Sequence, residues 1–191
     1  MIKYGGMTTD HDRGTELIRL ARGAVEQELG TAEIVHPGHE WLGETGATFV
    51  TLEKEGDLRG CIGTIEAFRS LYDDVTDNAR AAAFRDPRFR PVKIDEWPSI
   101  TIEISLLTPP ARFPVSSQQE LIEKLQPGIH GLVLKEGYRQ ATFLPSVWEQ
   151  LPDPRDFVTH LKRKAGIPLD HWSDKMEVSV YTVEKFSETP P

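Results

Sequence analysis

The sequence predicts an α+β fold with a mainly antiparallel sheet flanked by helices. Two hairpin patterns carry this prediction. Residues 47–53 are rich in β-forming residues and return as 58–65 after a tight turn at Gly56. Residues 131–135 return as 138–144 in the same way. Hairpin strands are antiparallel, and the helical segments do not alternate regularly with strands as they do in a doubly wound parallel sheet.

Four helices are predicted from apolar residues at helical spacing and from capping signals. The first runs from Asp12 to Leu29 and ends at Gly30. The second begins after Ser70, which opens a capping box, and ends before Pro87. The last two cover residues 117–125 and 154–165, and the final helix ends in three cations that suit its negative C-terminal end: Lys162, Arg163 and Lys164.

Two more strands complete the expected sheet. Residues 100–107 alternate isoleucines with polar residues, and residues 176–186 form the last strand. We therefore expect a single domain over residues 12–187, with a larger lobe, a smaller lobe around 108–170, and flexible ends at 1–11 and 188–191.

Composition narrows the classes of partner. The chain has 191 residues and a net charge of −8 at pH 7, which disfavours nucleic acid and anionic membranes as partners. Its single cysteine excludes an intramolecular disulfide and suits a reducing cytosol. No apolar run approaches the roughly 20 residues that span a bilayer, so a cytoplasmic protein is expected. A local basic patch is still available from Arg80, Arg85, Arg88, Arg90 and Lys93.

The most informative stretch is LRGCIGT, residues 58–64. Strand periodicity places Arg59, Cys61 and Gly63 on one face, so a guanidinium and a thiol would lie side by side. Glycine weakens a strand interior, and two glycines here indicate a bulge or a close approach by backbone or ligand.

This stretch, with the blocks that follow it, resembles the AMMECR domain family. The matching blocks are LRGCIGT at 58–64, AAFRDPRF at 82–89, EISLL at 103–107, GIHGL at 128–132, LP at 144–145 and KAG at 164–166. The resemblance covers roughly residues 14–187 and implies an α+β fold with a larger and a smaller lobe. Prokaryotic members are called protein A of the AmmeMemoRadiSam system. The resemblance therefore implies a pathway shared with Memo-like and radical-SAM proteins, and it implies no reaction type.

Cys61 is the first candidate for catalysis. A thiol reacts through its thiolate, which a nearby cation stabilises, and Arg59 would supply that cation. His130, between two glycines at the start of a strand, is the candidate base. The alternatives are that Cys61 is a small buried hydrophobic residue and that His130 is a turn residue bonded to backbone.

An anion pocket is the second candidate. Backbone N–H groups at Gly60 and Gly63, together with the Arg59 guanidinium, would suit a carboxylate or a phosphate. The alternative is that Arg59 pairs with Glu103 or Asp86 and only holds the hairpin in place.

Three further features have two interpretations each. Asp86 and Arg88 either bond each other within a turn, or Arg88 is a second anion contact. Glu103 lies on a solvent face or pairs with a buried arginine. His36 and His39 are solvated loop residues or metal ligands, but no further ligand joins them at a known spacing, so neither a metal nor a cofactor is expected.

Two functions follow from these residues. The first is an enzyme, or an enzyme component, with a pocket centred on Arg59 and Cys61. The second is a non-catalytic binding or scaffold protein whose groove holds a small molecule or a peptide. The family resemblance also suggests a role in transcription or RNA processing, which the acidic chain disfavours.

Overall fold

A computed structural model of the chain describes residues 10–188, so residues 1–9 and 189–191 of the flexible ends expected at 1–11 and 188–191 lie outside the described residues. Within them, the chain forms an α+β fold with two compact units. The first unit contains the described residues up to Leu107 and those from Glu184 onward, and the second contains Thr108–Val183. At the two described ends, Asp10 begins a helix and the Glu188 carboxylate accepts a 2.7 Å hydrogen bond from Arg22.

The described residues form four α-helices and nine strands. The helices are α1 (Asp10–Leu29), α2 (Leu71–Phe84), α3 (Gln118–Lys124) and α4 (Pro154–Ala165). The strands are β1 (Thr45–Lys54), β2 (Asp57–Gly63), β3 (Arg69–Ser70), β4 (Ile100–Leu107), β5 (Ala111–Arg112), β6 (Gly131–Glu136), β7 (Arg139–Phe143), β8 (Glu177–Tyr181) and β9 (Val183–Ser187).

The sheet of the first unit has the strand order β2-β1-β4-β9, and β3 pairs with the start of β1. Both β2 and β4 are antiparallel to β1. Alternate residues of β1 and β4, such as Val50, Leu52, Ile102 and Ile104, are buried against α1 and α2. The opposite face of the sheet carries the polar positions, so functional side chains on that face are not part of the helix-covered core.

The sheet of the second unit has the order β5-β8-β6-β7, with antiparallel pairs throughout. Its core centres on Phe157 of α4, which stacks on Trp148 with ring centroids 3.7 Å apart. Asp153 caps α4 by accepting a hydrogen bond from the Arg155 N–H, and Gly166 ends the helix in a left-handed conformation.

The prediction of one continuous strand over residues 176–186 is wrong. The structure divides it at Thr182 into β8 and β9, which belong to different sheets. Thr182 bonds to Thr108 instead of continuing the ladder: its N–H donates to the Thr108 hydroxyl, and its carbonyl accepts from the Thr108 N–H. This pairing ends one strand and begins the next.

A buried carboxylate joins α2 to three other segments of the first unit. Asp74 is fully buried and accepts hydrogen bonds from the N–H and hydroxyl of Thr48, the hydroxyl of Thr64, Nε of Arg69 and Nδ2 of Asn78. Buried charges are tolerated when they are paired and hydrogen-bonded in this way. The carboxylate therefore fixes the segment between β2 and α2.

Lys162 is another buried charge, and the sequence did not identify it as buried. Its ammonium donates to Oε1 of Gln118 and to the carbonyls of Leu169 and His171, each at 2.7 Å. Lys162 does lie in the last turn of α4, as predicted, but its place among the helix-end cations gave no sign of this burial. Burial lowers the pKa of Lys162, although the nearby charges of Asp170 and Glu136 oppose this shift.

We predict that Asp74→Ala destabilises the first unit by about 3 kcal/mol or more, because it leaves the Arg69 charge and the Thr48 N–H without their buried acceptor. Urea unfolding, with amide exchange in β1 and α2 as the local readout, measures this loss. Asp95→Ala, at an exposed carboxylate, is the control. A loss below about 1 kcal/mol would show that the network contributes little.

We predict that Lys162→Met destabilises the second unit and changes the pH dependence of its unfolding. Because the folded pKa of Lys162 lies below the ordinary lysine value of 10.5, the unfolded chain binds more protons in the window between the two values. The unfolding free energy of the wild type should therefore rise with pH in that window relative to the variant. Urea titrations from about pH 8 to 10 measure this difference, with Lys175→Met as an exposed control. A difference in unfolding free energy between the wild type and Lys162→Met that does not change with pH would contradict the prediction.

Candidate functional site

The hairpin around LRGCIGT contains a β-bulge. Gly60 pairs with Leu52, but the next pair joins Leu58 to Glu53, so Arg59 is the additional residue on β2. A bulge breaks the alternation of side chains along a strand. The prediction that Arg59 and Cys61 share a face rested on unbroken alternation, and the bulge removes that basis.

The two glycines of the stretch are sites of close packing. A Cβ atom on Gly60 would lie 2.2 Å from the carbonyl oxygen of Ala82, so this position faces α2. A Cβ atom on Gly63 would lie 2.2 Å from the ring of Phe49 and 2.6 Å from the carbonyl of Thr48. Protein atoms therefore occupy the space that the sequence interpretation gave to a ligand.

Cys61 follows Gly60 and so points to the sheet face away from α2. The side chain is partly buried, and its sulfur accepts a 3.4 Å hydrogen bond from the Thr51 hydroxyl on the neighbouring strand. The Cys61 N–H donates to Oδ2 of Asp86 at 2.9 Å, and its carbonyl accepts from Nη2 of Arg88 at 3.1 Å. Because β2 is an edge strand, these two side chains take the place of a neighbouring strand at this residue.

Asp86 and Arg88 form a pair with a buried end and an exposed end. The Asp86 side chain is 2% exposed and that of Arg88 is 53% exposed. Oδ1 accepts from Nε and the N–H of Arg88, and Oδ2 accepts from Nη2 at 2.7 Å. The bonds from Arg88, followed by that from the Cys61 N–H, hold the pKa of Asp86 well below its usual range despite burial. We call Thr51, Cys61, Asp86 and Arg88 the Cys61 site.

The cation that contacts the Cys61 residue is Arg88. Hydrogen bonding to Asp86 raises the pKa of Arg88. The bond from its Nη2 to the Cys61 carbonyl places the guanidinium next to the cysteine backbone. Sequence periodicity had pointed to Arg59 for this role.

The predicted pairing of Arg59 with Glu103 or Asp86 is wrong. Its Nη2 lies 2.7 Å from Oε1 of Glu96, which is in the turn before the helical turn Trp97–Ser99, and Nε donates to the same carboxylate. Nη1 is buried without a hydrogen-bond partner among the described residues, and the guanidinium lies 6.0 Å from the centre of the Phe89 ring.

Glu103 lies in one row with Thr51 and Cys61 across three strands, because Thr51 is paired with both. Two strand spacings put the backbones of Cys61 and Glu103 about 10 Å apart. The Glu103 carboxylate is directed to β9, where it lies 3.1 Å from Lys185 Nζ and accepts from the Ser187 hydroxyl.

His130 belongs to the second unit. Its Nδ1 accepts a hydrogen bond from the Gln126 N–H at 3.2 Å, its carbonyl accepts from Trp148, and its ring packs edge-on against Phe113. Burial lowers the pKa of His130. These contacts are those of a turn residue bonded to backbone, and its role as a base stays a prediction.

Two searches of the described residues bear on other classes of site. No group of three or more His, Cys, Asp or Glu residues within 10–188 is placed to hold a metal ion. His36 accepts from the Gly38 N–H, and His39 stacks on Trp41. No helix in this part of the chain is long and apolar enough to cross a membrane.

Comparison with known proteins identifies the family. The AMMECR1 family profile matches residues 18–186, and the chain belongs to this family. It is 36% identical to "Protein MK0488" of Methanopyrus kandleri, over 94% of this chain and 90% of that protein. It is 38% identical to "Protein Mbar_A1807" of Methanosarcina barkeri, over 97% of this chain and 94% of that protein. The crystal structure of the uncharacterized protein PH0010 from Pyrococcus horikoshii is similar, with a TM-score of 0.75 and 32% sequence identity. The match covers 97% of this chain and 96% of that one.

We predict that Asp86→Asn lowers the unfolding free energy at neutral pH by about 3 kcal/mol. Because the folded pKa of Asp86 is depressed below the ordinary aspartate value of 3.8, this contribution is complete above that value and is lost as the pH falls toward the folded pKa. Urea titrations of both proteins between neutral pH and about pH 3 measure the difference, which should shrink on acidification. Asp95→Asn is the exposed control, and a difference that stays constant with pH would refute the assignment.

Proposed function

We propose that this protein is an enzyme, or a component of one, in which the Cys61 thiol forms a bond with the substrate. One observation carries the proposal: the Cys61 sulfur accepts a hydrogen bond from Thr51 while its residue is bonded to the exposed guanidinium of Arg88. Hydrogen-bond donors and cations stabilise a thiolate, which is the nucleophilic form of cysteine.

The proposed step is a nucleophilic attack by sulfur. A sulfur lone pair forms the new bond to an electrophilic carbon of the substrate. The electron pair displaced from that carbon leaves with the leaving group or moves onto an attached oxygen, and the thiol proton passes to water. No histidine or carboxylate among the described residues has a hydrogen bond to the sulfur, so the first unit supports proton loss to solvent rather than to a paired base.

The reaction would be one step of a pathway shared with other proteins. The resemblance to AmmeMemoRadiSam proteins suggests Memo-like and radical-SAM proteins as partners in modifying a small molecule or a macromolecule. A single cysteine and an acidic chain fit a cytoplasmic protein that does not bind nucleic acid.

A non-catalytic binding protein is the second candidate. The observation that favours it is the pair of hydrogen bonds from the Cys61 backbone to Asp86 and Arg88, which fits a structural purpose as well. Complementation of a strain that lacks the gene separates the two candidates. Loss of function in Cys61→Ser supports covalent chemistry, whereas survival of Cys61→Ser together with loss in Arg88→Ala supports binding alone.

We predict that iodoacetamide alkylates Cys61 in the folded protein at least as fast as it alkylates 2-mercaptoethanol at the same pH. Thr51→Val should slow the reaction about fivefold, the equivalent of one hydrogen bond. Intact-mass spectrometry follows the reaction, because the chain has one cysteine.

Thr101→Val is the matched control for this experiment. Thr101 lies on the same face of the sheet, opposite Glu53, so its replacement should leave the rate unchanged. A folded-state rate more than about tenfold below that of 2-mercaptoethanol, unaffected by Thr51→Val, would exclude Cys61 as the nucleophile.

A further inference from the structure

We infer that the substrate of the Cys61 site is a small molecule with a carboxylate or phosphate group, and that this group binds to the exposed side of Arg88. The inference rests on the proposed function and adds the substrate class to it.

The first support is the set of donors that Arg88 leaves free. Nε and Nη2 bond to Asp86 and to the Cys61 carbonyl, and Nη1 has no hydrogen bond to any described residue. About half of the side chain is exposed. A guanidinium offers N–H donors in a planar fork that suits the oxygens of a carboxylate or a phosphate.

The second support is that the guanidinium is already fixed in position. The Asp86 carboxylate holds it from the buried side, and the Phe89 ring lies 5.4 Å from its central carbon. A group that is ordered before binding loses little conformational entropy when the ligand arrives. The pair therefore presents its positive end to solvent and its negative end to the interior.

The third support is the local charge. The whole chain has a net charge of −8 at pH 7, yet residues 85–93 contain four cationic residues and one acidic residue. The acid is the buried Asp86, and the cations are exposed: Arg85, Arg88, Arg90 and Lys93. Arg85 is paired with Asp77 at 2.8 Å, so the excess positive charge comes from Arg90 and Lys93 beside the Asp86–Arg88 pair. A positive segment that contacts the backbone of Cys61 on an acidic protein attracts a small anion, whereas the overall charge repels a polyanion.

Arg59, the other arginine of the sequence prediction, is not available for this role. Two of its nitrogens bond to Glu96, and Nη1 has no accessible surface. Its side chain is 16% exposed against 53% for that of Arg88, so the anion contact is assigned to Arg88.

Two alkylating reagents of nearly equal size test the inference. Iodoacetate is an anion and iodoacetamide is neutral, so the ratio of their rates at Cys61 isolates the effect of charge from that of access. Relative to the same ratio for 2-mercaptoethanol, we expect a ratio about fivefold higher in the wild type, the effect of one nearby cation in a partly exposed setting. Arg88→Gln should abolish the excess.

Arg19→Gln is the matched control. Arg19 is an exposed arginine on α1, which packs on the other face of the sheet, so the same loss of charge there should leave the ratio unchanged. Two measurements need no variant. About 0.5 M NaCl should lower the rate ratio of the wild type toward that of 2-mercaptoethanol, because salt screens the charge of Arg88. Inorganic phosphate should slow the reaction with iodoacetate more than chloride of equal ionic strength does.

The outcomes separate this inference from the proposed function. If neither reagent modifies Cys61 in the folded protein, the proposed function fails and the inference fails with it. If iodoacetamide reacts readily but the ratio does not exceed that of 2-mercaptoethanol, or the excess persists in Arg88→Gln, the proposed function stands and the inference is overturned.

Discussion

The Asp86 carboxylate is the interaction on which the candidate site depends. It is buried at the edge of the first sheet, where an unpaired strand would expose backbone N–H and C=O groups. It accepts the Cys61 N–H and orients Arg88, which in turn donates to the Cys61 carbonyl. This one buried charge thus ends the sheet, fixes the cysteine backbone and holds a cation at the surface against the Cys61 carbonyl.

A second buried carboxylate secures the other end of the same stretch. Asp74 accepts from the hydroxyl of Thr64, the last residue of LRGCIGT, while Asp86 accepts from Cys61 within it. Both acids come from α2 or the turn that follows it. Because removing one partner of a buried pair is costly, this arrangement keeps the stretch in a single conformation, as a site that must present a thiol in a defined place requires.

Elements whose signals are local could be predicted from the sequence. β4 spans Ile100–Leu107 and α4 spans Pro154–Ala165, as predicted, because strand alternation, helix capping and the stop at Gly166 act over a few residues. Lys162 shows the limit of such signals. Its position near the helix end suits the helix dipole and says nothing of burial, because the oxygens that enclose it come from Gln118 and from the chain beyond Gly166.

The sequence by itself determined the fold class and the family resemblance and made Cys61 a candidate, since these depend on local patterns and residue identity. Tertiary structure decided which groups surround the thiol. If the two strands paired residue by residue from the turn at Gly56, Gly60 would lie opposite Thr51. The bulge at Arg59 shifts the pairing by one residue, so Cys61 lies opposite Thr51 instead. Tertiary structure also decided that the cation bonded to the Cys61 backbone is Arg88 and not Arg59, because Arg59 pairs with Glu96. The two glycines indicated a bulge or a close approach, but the position of the bulge and the long-range ion pairs depend on packing between distant segments, so the local sequence did not specify them.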